Sequence, residues 1–214
     1  MLREILFKKS WWNGELDNYD SSQYVRTDFI LENLYVFLLE NHYHFQTKLN
    51  AVNQKERNVL ETMKKYLKIF RDIYRSEMRS FVETLNVMHE NCIDSALLKT
   101  ANILFEDGIT WYRIIAYFSV VNELGIWCFS KKLPDTFINF LYERFSCVVK
   151  EKLLHWIEDH DGWEGILKID MREKNAEEEI LKSNWMRSAL YTTIKMLGVL
   201  ATIGNTVNNY DNVI

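Results

Sequence analysis

The sequence predicts an all-α fold built around one central apolar helix, and three observations lead to this prediction. The 214 residues include one proline and seven glycines, so few chain breakers would interrupt long helices. Several segments carry apolar residues at helical spacing. One run, at about 109–129, is apolar on nearly every face, which is typical of a helix in the middle of a domain.

The first two helices are predicted from their caps and apolar stripes. The first spans about 28–41 and begins at Thr27 or Asp28, which combine a helix cap with an acidic first turn. The second spans about 57–85 and carries one apolar stripe at positions i, i+4, i+7 and i+11. The stripe consists of Met63, Leu67, Phe70 and Tyr74.

The segments around the central run are predicted to be helical as well. Residues 86–105 hold one or two short helices, with Asp94 or Ser95 as a cap. After the central run, Pro134 suits the first turn of a helix at about 135–156.

A tight corner follows that helix. It is predicted from Trp156 and Trp163, two tryptophans seven residues apart with an Asp-Gly pair between them, which indicates a helix stop and an immediate restart.

The chain is predicted to divide into four parts: an N-terminal extension at 1–23, a helical bundle at 24–170, a charged linker at 171–184 and a tail at 185–214. The apolar part of the tail, if helical, is about 24 Å long, whereas a bilayer core needs about 30 Å. Lys195 also lies in its middle. The tail is therefore only a weak candidate for a membrane anchor.

Composition and motifs exclude several function classes. The net charge of −4 shows no strong asymmetry of sign, so the sequence does not indicate a nucleic-acid partner or an acidic membrane surface. It contains no glycine-rich phosphate loop, no His-Glu-x-x-His, no Cys-x-x-Cys and no Gly-x-Ser-x-Gly. We therefore expect neither an enzyme nor a protein that holds a cofactor or a metal.

Arg113 is the residue that conflicts with its surroundings. It lies near the start of the central apolar run. An isolated buried charge is very costly, so an arginine here needs a partner or a place at the surface. Arg113 is therefore the leading candidate for a functional residue.

Two tryptophan-bearing stretches resemble the Bcl-2 family of cell-death regulators. Leu104 to Phe118, LFEDGITWYRIIAYF, resembles the first homology motif of that family, and His155 to Ile166, HWIEDHDGWEGI, resembles the second. Leu67 and Asp72, five apart, are similar to the leucine and aspartate of its third motif, BH-3. The helix at 28–41 resembles the fourth motif. The resemblance covers about residues 26–168.

The resemblance implies a Bcl-2-like helical bundle whose surface groove accepts an amphipathic BH-3 helix from another family member. Arg113 matches the arginine that meets the ligand aspartate, so its guanidinium is expected at the groove edge, unpaired until a ligand arrives. Trp156, Gly162 and Trp163 have structural roles in the second motif, and Leu67 and Asp72 form the chain's own third motif. The groove residues implied are Phe70, Tyr74, Leu104, Thr110, Trp111, Tyr112, Arg113, Ile114 and Tyr117.

Three positions depart from the family pattern. Thr110 replaces an asparagine that adds a second bond to the ligand aspartate, and Tyr112 replaces a glycine that leaves room for the ligand backbone. Arg71 replaces the small residue before Asp72, which blocks a close helix–helix contact and makes the chain's own third motif a poor ligand for other members. We therefore expect a restricted set of partners.

The function implied is a regulator of apoptosis that binds the BH-3 helices of pro-apoptotic family proteins and inhibits cell death. Two alternatives remain open: an effector of the same fold that permeabilises the mitochondrial outer membrane, and a scaffold whose groove is filled by residues 185–205. The resemblance also implies a cytoplasmic protein that associates with the mitochondrial outer membrane or the endoplasmic reticulum.

Overall fold

The computed structural model of the chain describes residues 25–34, 53–84 and 90–170. All regular structure in these residues is helical, which confirms the predicted all-α fold. The predicted extension at 1–23, the linker at 171–184 and the tail at 185–214 lie outside the described residues.

Helix α1 begins at Thr27, as predicted, and helix α2 begins at a side-chain cap. Helix α1 is described over 27–34, and its predicted continuation to 41 lies outside the described residues. Helix α2 spans Gln54–Thr84, three residues earlier than the predicted start. The reason is Asn53, whose Oδ1 accepts a hydrogen bond from the Glu56 backbone N–H at 2.8 Å and so caps the first turn.

Helix α2 buries its predicted stripe but is not straight. All four stripe residues are buried, and Tyr74 has non-helical dihedral angles (φ −112°, ψ 18°) that kink the helix. The Glu56 carboxylate is also buried, and it accepts a hydrogen bond from Arg26 Nε at 3.1 Å. This ion pair ties the segment before α1 to the first turn of α2.

Helix α3 is one continuous helix, Glu90–Phe105. The predicted cap at Asp94 or Ser95 is wrong, because both residues lie inside α3. The Asp94 carboxylate instead accepts a hydrogen bond from Arg144 Nε at 2.6 Å. Asp94 thus links α3 to the helix that carries Arg144.

Helix α4, Trp111–Ser130, is the centre of the bundle, as the sequence predicts. Fourteen of its 20 residues are buried, and α2, α3 and the following helix pack around it. Among the described residues, no helix is both long and apolar enough to cross a membrane.

The segment predicted as one helix at 135–156 is divided by a change of helix type. Helix α5 spans Asp135–Val148, a π-helical turn spans Val149–Leu153, and helix α6 spans Leu154–Asp159. Pro134 occupies the N-cap position of α5, one residue before the first turn in which it was predicted, and makes no side-chain capping bond.

The predicted corner is confirmed. Asp161 (φ 67°) and Gly162 (φ 60°) both adopt the left-handed conformation and turn the chain. A 3₁₀ turn at Gly162–Ile166 and the short helix α7, Leu167–Asp170, follow at once.

Three tryptophans join the corner to the central helix, and we call them the tryptophan cluster. The ring centroid of Trp111 lies 5.6 Å from that of Trp156 and 6.1 Å from that of Trp163. Trp163 Nε1 donates a hydrogen bond to Thr27 Oγ1 at 2.9 Å. The cluster therefore fixes the start of α4 against both the corner and α1.

Gly165 lies against the tryptophan cluster with no room for a side chain. A Cβ atom at this position would lie 2.1 Å from the backbone oxygen of His160 and 3.1 Å from Trp111 Nε1. Because a backbone atom cannot swing aside as a side chain can, the close packing of the corner requires glycine.

We expect Gly165→Ala to lower the free energy of unfolding by roughly 1–3 kcal/mol, the usual cost of overpacking. The matched control is Gly125→Ala in α4, where the added Cβ would meet Leu141 Cδ2 at an ordinary 3.6 Å. Alanine also favours helix over glycine, so the control should be neutral or stabilising. Urea unfolding of both variants measures the difference, and equal stabilities would contradict the packing argument.

Candidate functional site

Arg113 lies in the first turn of α4, and the preceding turn surrounds its guanidinium. Nη1 donates hydrogen bonds to the backbone oxygens of Leu104 and Gly108, each at 3.1 Å. Nη2 donates to Asp107 Oδ2 at 3.2 Å. The expectation that the Arg113 guanidinium has no partner until a ligand arrives is therefore wrong. The turn before α4 supplies two backbone carbonyls and a carboxylate.

The turn between α3 and α4 depends on the backbone conformation of Gly108. Its φ of +105° lies in the region that favours glycine, and its N–H donates to the Phe105 oxygen at 3.1 Å. This turn brings the Leu104 and Gly108 carbonyls to the same side of Arg113. The Arg113 side chain is 15% exposed, whereas that of Asp107 is 81% exposed, so their ion pair lies at the surface.

Thr110 has a role inside the chain. Its backbone is extended (φ −142°, ψ 158°), and its Oγ1 accepts a hydrogen bond from the Arg113 N–H at 3.3 Å. Threonine at this position therefore caps α4. The same contact holds the backbone of Arg113 in place.

Tyr112 lies against α2. Its ring meets the ring of Tyr66 edge to face, with centroids 6.4 Å apart and planes at 87°. Ile69 and Ile73 follow Tyr66 at i+3 and i+7, so the three residues share one side of α2. Tyr66 is buried, whereas Ile69, Ile73 and Tyr112 are each partly buried against the core. We call the side chains of Ile69, Ile73 and Tyr112 the apolar shelf.

The other residues predicted for a groove lie in the core. Tyr117 packs its ring 5.8 Å from Phe105 and 6.1 Å from Phe145, and burial raises its pKa above the usual value for a tyrosine. A ligand could reach side chains placed in this way only if the helices around them moved apart. The buried residues of the predicted set are Phe70, Tyr74, Leu104, Trp111, Ile114 and Tyr117.

The second and third motifs have separate locations. The residues of the second motif lie in the corner, and these are Trp156, Gly162 and Trp163. In α2, Leu67 is buried in the core and Asp72 is exposed, just before the kink at Tyr74. The chain's own third motif therefore contributes its leucine to the core.

Asp107 is the site residue that the sequence reasoning missed. It belongs to the first motif and precedes Arg113 by six residues. An acidic residue in an Asp-Gly turn just before a helix that carries an arginine was the available signal. Its significance depends on the turn geometry, which only the structure shows.

The comparisons with known proteins point to one family. A model of the Bcl-2 family of apoptosis regulator proteins matches residues 46–163. The Bcl-2-related ovarian killer protein of Homo sapiens is 25% identical over 118 residues, which is 55% of this chain and 52% of that protein. Bcl-2-like protein 1 of Gallus gallus is 28% identical over 103 residues, 48% of this chain and 44% of that protein. The chain spans about half the length of these relatives.

Two solved structures share the fold. A crystal structure of chicken BOK aligns with a TM-score of 0.55 at 19% identity, covering 66% of this chain and 92% of that one. A schistosome BCL-2 bound to ABT-737 aligns with a TM-score of 0.53 at 22% identity, covering 66% of this chain and 97% of that one.

We expect Thr110→Val to destabilise the protein by about 1 kcal/mol, the usual cost of losing a helix cap. Valine keeps the branched shape of threonine but lacks the oxygen that accepts the Arg113 N–H. Thr110→Ser keeps that oxygen and is the matched control. Urea midpoints of the two variants test the cap, and a valine variant as stable as the serine variant would contradict it.

Proposed function

The chain belongs to the Bcl-2 family of apoptosis regulator proteins, and from this premise we propose that it restrains cell death by binding the BH-3 helix of a pro-apoptotic family member. The proposed contact is the surface formed by Arg113 and the apolar shelf. The encounter takes place in the cytoplasm or at the mitochondrial outer membrane or endoplasmic reticulum.

One observation carries the proposal: Arg113 already binds a carboxylate at the surface. Its Nη2 donates to Asp107 Oδ2, while two backbone carbonyls hold Nη1. The geometry that suits the carboxylate of Asp107 suits that of a ligand aspartate equally well. A charge-assisted hydrogen bond from Arg113 to a ligand aspartate that the bound helix shields from water contributes roughly 1.5–3 kcal/mol.

The apolar shelf supplies the second part of a helix-binding surface. An amphipathic helix binds through apolar anchors that lie on one of its faces. The shelf residue Tyr112 and Arg113 both lie in the first turn of α4 and point about 100° apart around its axis, so one bound helix that covers this turn can meet both. Affinity would come mainly from the apolar anchors, and the choice of partner from the arginine.

The polar side chains inside α4 support restraint of cell death over membrane insertion. Asn122 and Glu123 are buried in the middle of this helix. A charged side chain at the centre of a bilayer costs about 2.5–3.5 kcal/mol on the insertion scale. Helix α4 is therefore better suited to stay in the folded bundle than to enter lipid.

A second candidate function is that of a death-promoting effector. The names of relatives favour it, since several matches are Bcl-2-related ovarian killer proteins, from Homo sapiens and Gallus gallus among others. Apoptosis regulator BAX of Mus musculus is also 31% identical, over 70 residues that make up 32% of this chain and 36% of that protein.

Arg113→Ala is expected to weaken the binding of a BH-3 peptide about tenfold, the effect of losing one charge-assisted bond. Calorimetric titration of a panel of synthetic BH-3 peptides measures it. In the same titrations, a peptide whose aspartate is replaced by alanine should bind both proteins equally, since no carboxylate then meets Arg113. Arg57→Ala removes an exposed arginine at the start of α2 and is the matched charge control. Equal losses for both peptides would contradict the proposed role of Arg113.

A liposome release assay decides between the two functions. We expect the purified chain to suppress dye release caused by a pore-forming family member and to cause none itself. Release by the chain alone, after activation with a BH-3 peptide, would support the effector instead.

A further inference from the structure

We propose that Asp107 is a built-in substitute for the ligand aspartate, and that it makes binding at Arg113 less dependent on the partner's carboxylate. This inference rests on the proposed function, since it concerns how the same site chooses its ligands.

Arg113 is held in place by contacts that do not involve Asp107. Nη1 donates to the backbone oxygens of Leu104 and Gly108, and the Arg113 N–H is bonded to Thr110. Asp107 accepts its hydrogen bond from the other terminal nitrogen, Nη2. Replacement of Asp107 therefore removes a carboxylate and leaves the contacts that orient the guanidinium.

The Asp107–Arg113 pair is weak enough to exchange. Asp107 is 81% exposed, so water and salt screen its charge, and exposed ion pairs contribute little to stability. A ligand aspartate beside the apolar shelf would be shielded from water on one side, where a charge-assisted bond is stronger. A partner helix with an aspartate can therefore displace Asp107.

The two kinds of ligand use Asp107 differently. A helix with the aspartate gains only the difference between its own bond to Arg113 and the bond that it breaks. A helix without it leaves the Asp107–Arg113 pair in place and buries no arginine without a carboxylate. Asp107 thus lowers the affinity for a helix with the aspartate and does not lower the affinity for a helix without it. The difference between the two affinities is therefore smaller.

The test compares two peptides on three proteins. The peptides are the tightest-binding BH-3 peptide of the panel and the same peptide with its aspartate replaced by alanine. The proteins are the full chain, its Asp107→Ala variant and its Glu106→Ala variant. Glu106 is exposed and adjacent, so its replacement makes the same charge change without removing the carboxylate that contacts Arg113.

We expect Asp107→Ala to lower the dissociation constant of the aspartate peptide about threefold, equivalent to about 0.7 kcal/mol. The dissociation constant of the alanine peptide should not fall. The ratio of the two dissociation constants should therefore rise about threefold. Glu106→Ala should leave the ratio unchanged. If Asp107→Ala does not fold, Asp107→Asn replaces it, because asparagine keeps the size and turn preference of aspartate.

The outcomes separate this inference from the proposed function. If no peptide binds the wild-type chain, or if Arg113→Ala has no effect, the proposed function fails. If binding depends on Arg113 but Asp107→Ala leaves the ratio unchanged, only the substitute role of Asp107 is overturned. A rise of the same size in Glu106→Ala also overturns it, because the cause would then be long-range charge.

Discussion

The tryptophan cluster is the contact on which the rest of the structure depends. Trp111 begins the central helix, Trp156 and Trp163 come from the corner some 45 to 52 residues later in the sequence, and Trp163 reaches Thr27 near the start of α1. Aromatic pairs contribute about 0.5–1.5 kcal/mol each beyond the area that they bury. Because the cluster fixes the first turn of α4, it also fixes the position of Arg113.

The candidate site has one part that the backbone holds and one part that can be exchanged. Backbone carbonyls and the Thr110 cap orient Arg113, whereas an exposed side chain, Asp107, supplies its carboxylate. An arginine that is already ordered loses little conformational entropy when a ligand binds. The site is therefore preorganised toward a carboxylate, and the choice between its own carboxylate and that of a partner depends on a small difference in free energy.

Much of the fold could be predicted from local patterns, and most of the site could not. The apolarity of the central run and the Asp-Gly turn between two tryptophans were sufficient for the central helix and the corner. The early start of α2 was also readable, since Asn53 followed three residues later by a glutamate indicates a cap. Asp94 resembled a cap but pairs with Arg144 from another helix, a contact that no local pattern reveals. The partners of Arg113 were missed because two of them are backbone carbonyls, which carry no sequence signal.

The π-helical turn at Val149–Leu153 determines where the chain between Trp111 and Trp156 can change in length. One residue advances an α-helix by about 100°, so a wider turn changes the direction of every side chain that follows. Val149 and Leu153 both lie in the core, and Trp156 then meets Trp111. A π-helical turn holds about one residue more than an α-helical turn, so loss of a single residue from it would let the turn become α-helical and leave Trp156 facing Trp111. Loss of a residue from the α-helical part of α5 would instead rotate Trp156 by about 100°. A one-residue deletion before the corner is therefore accommodated better in this turn than in α5, independently of which amino acids the turn contains.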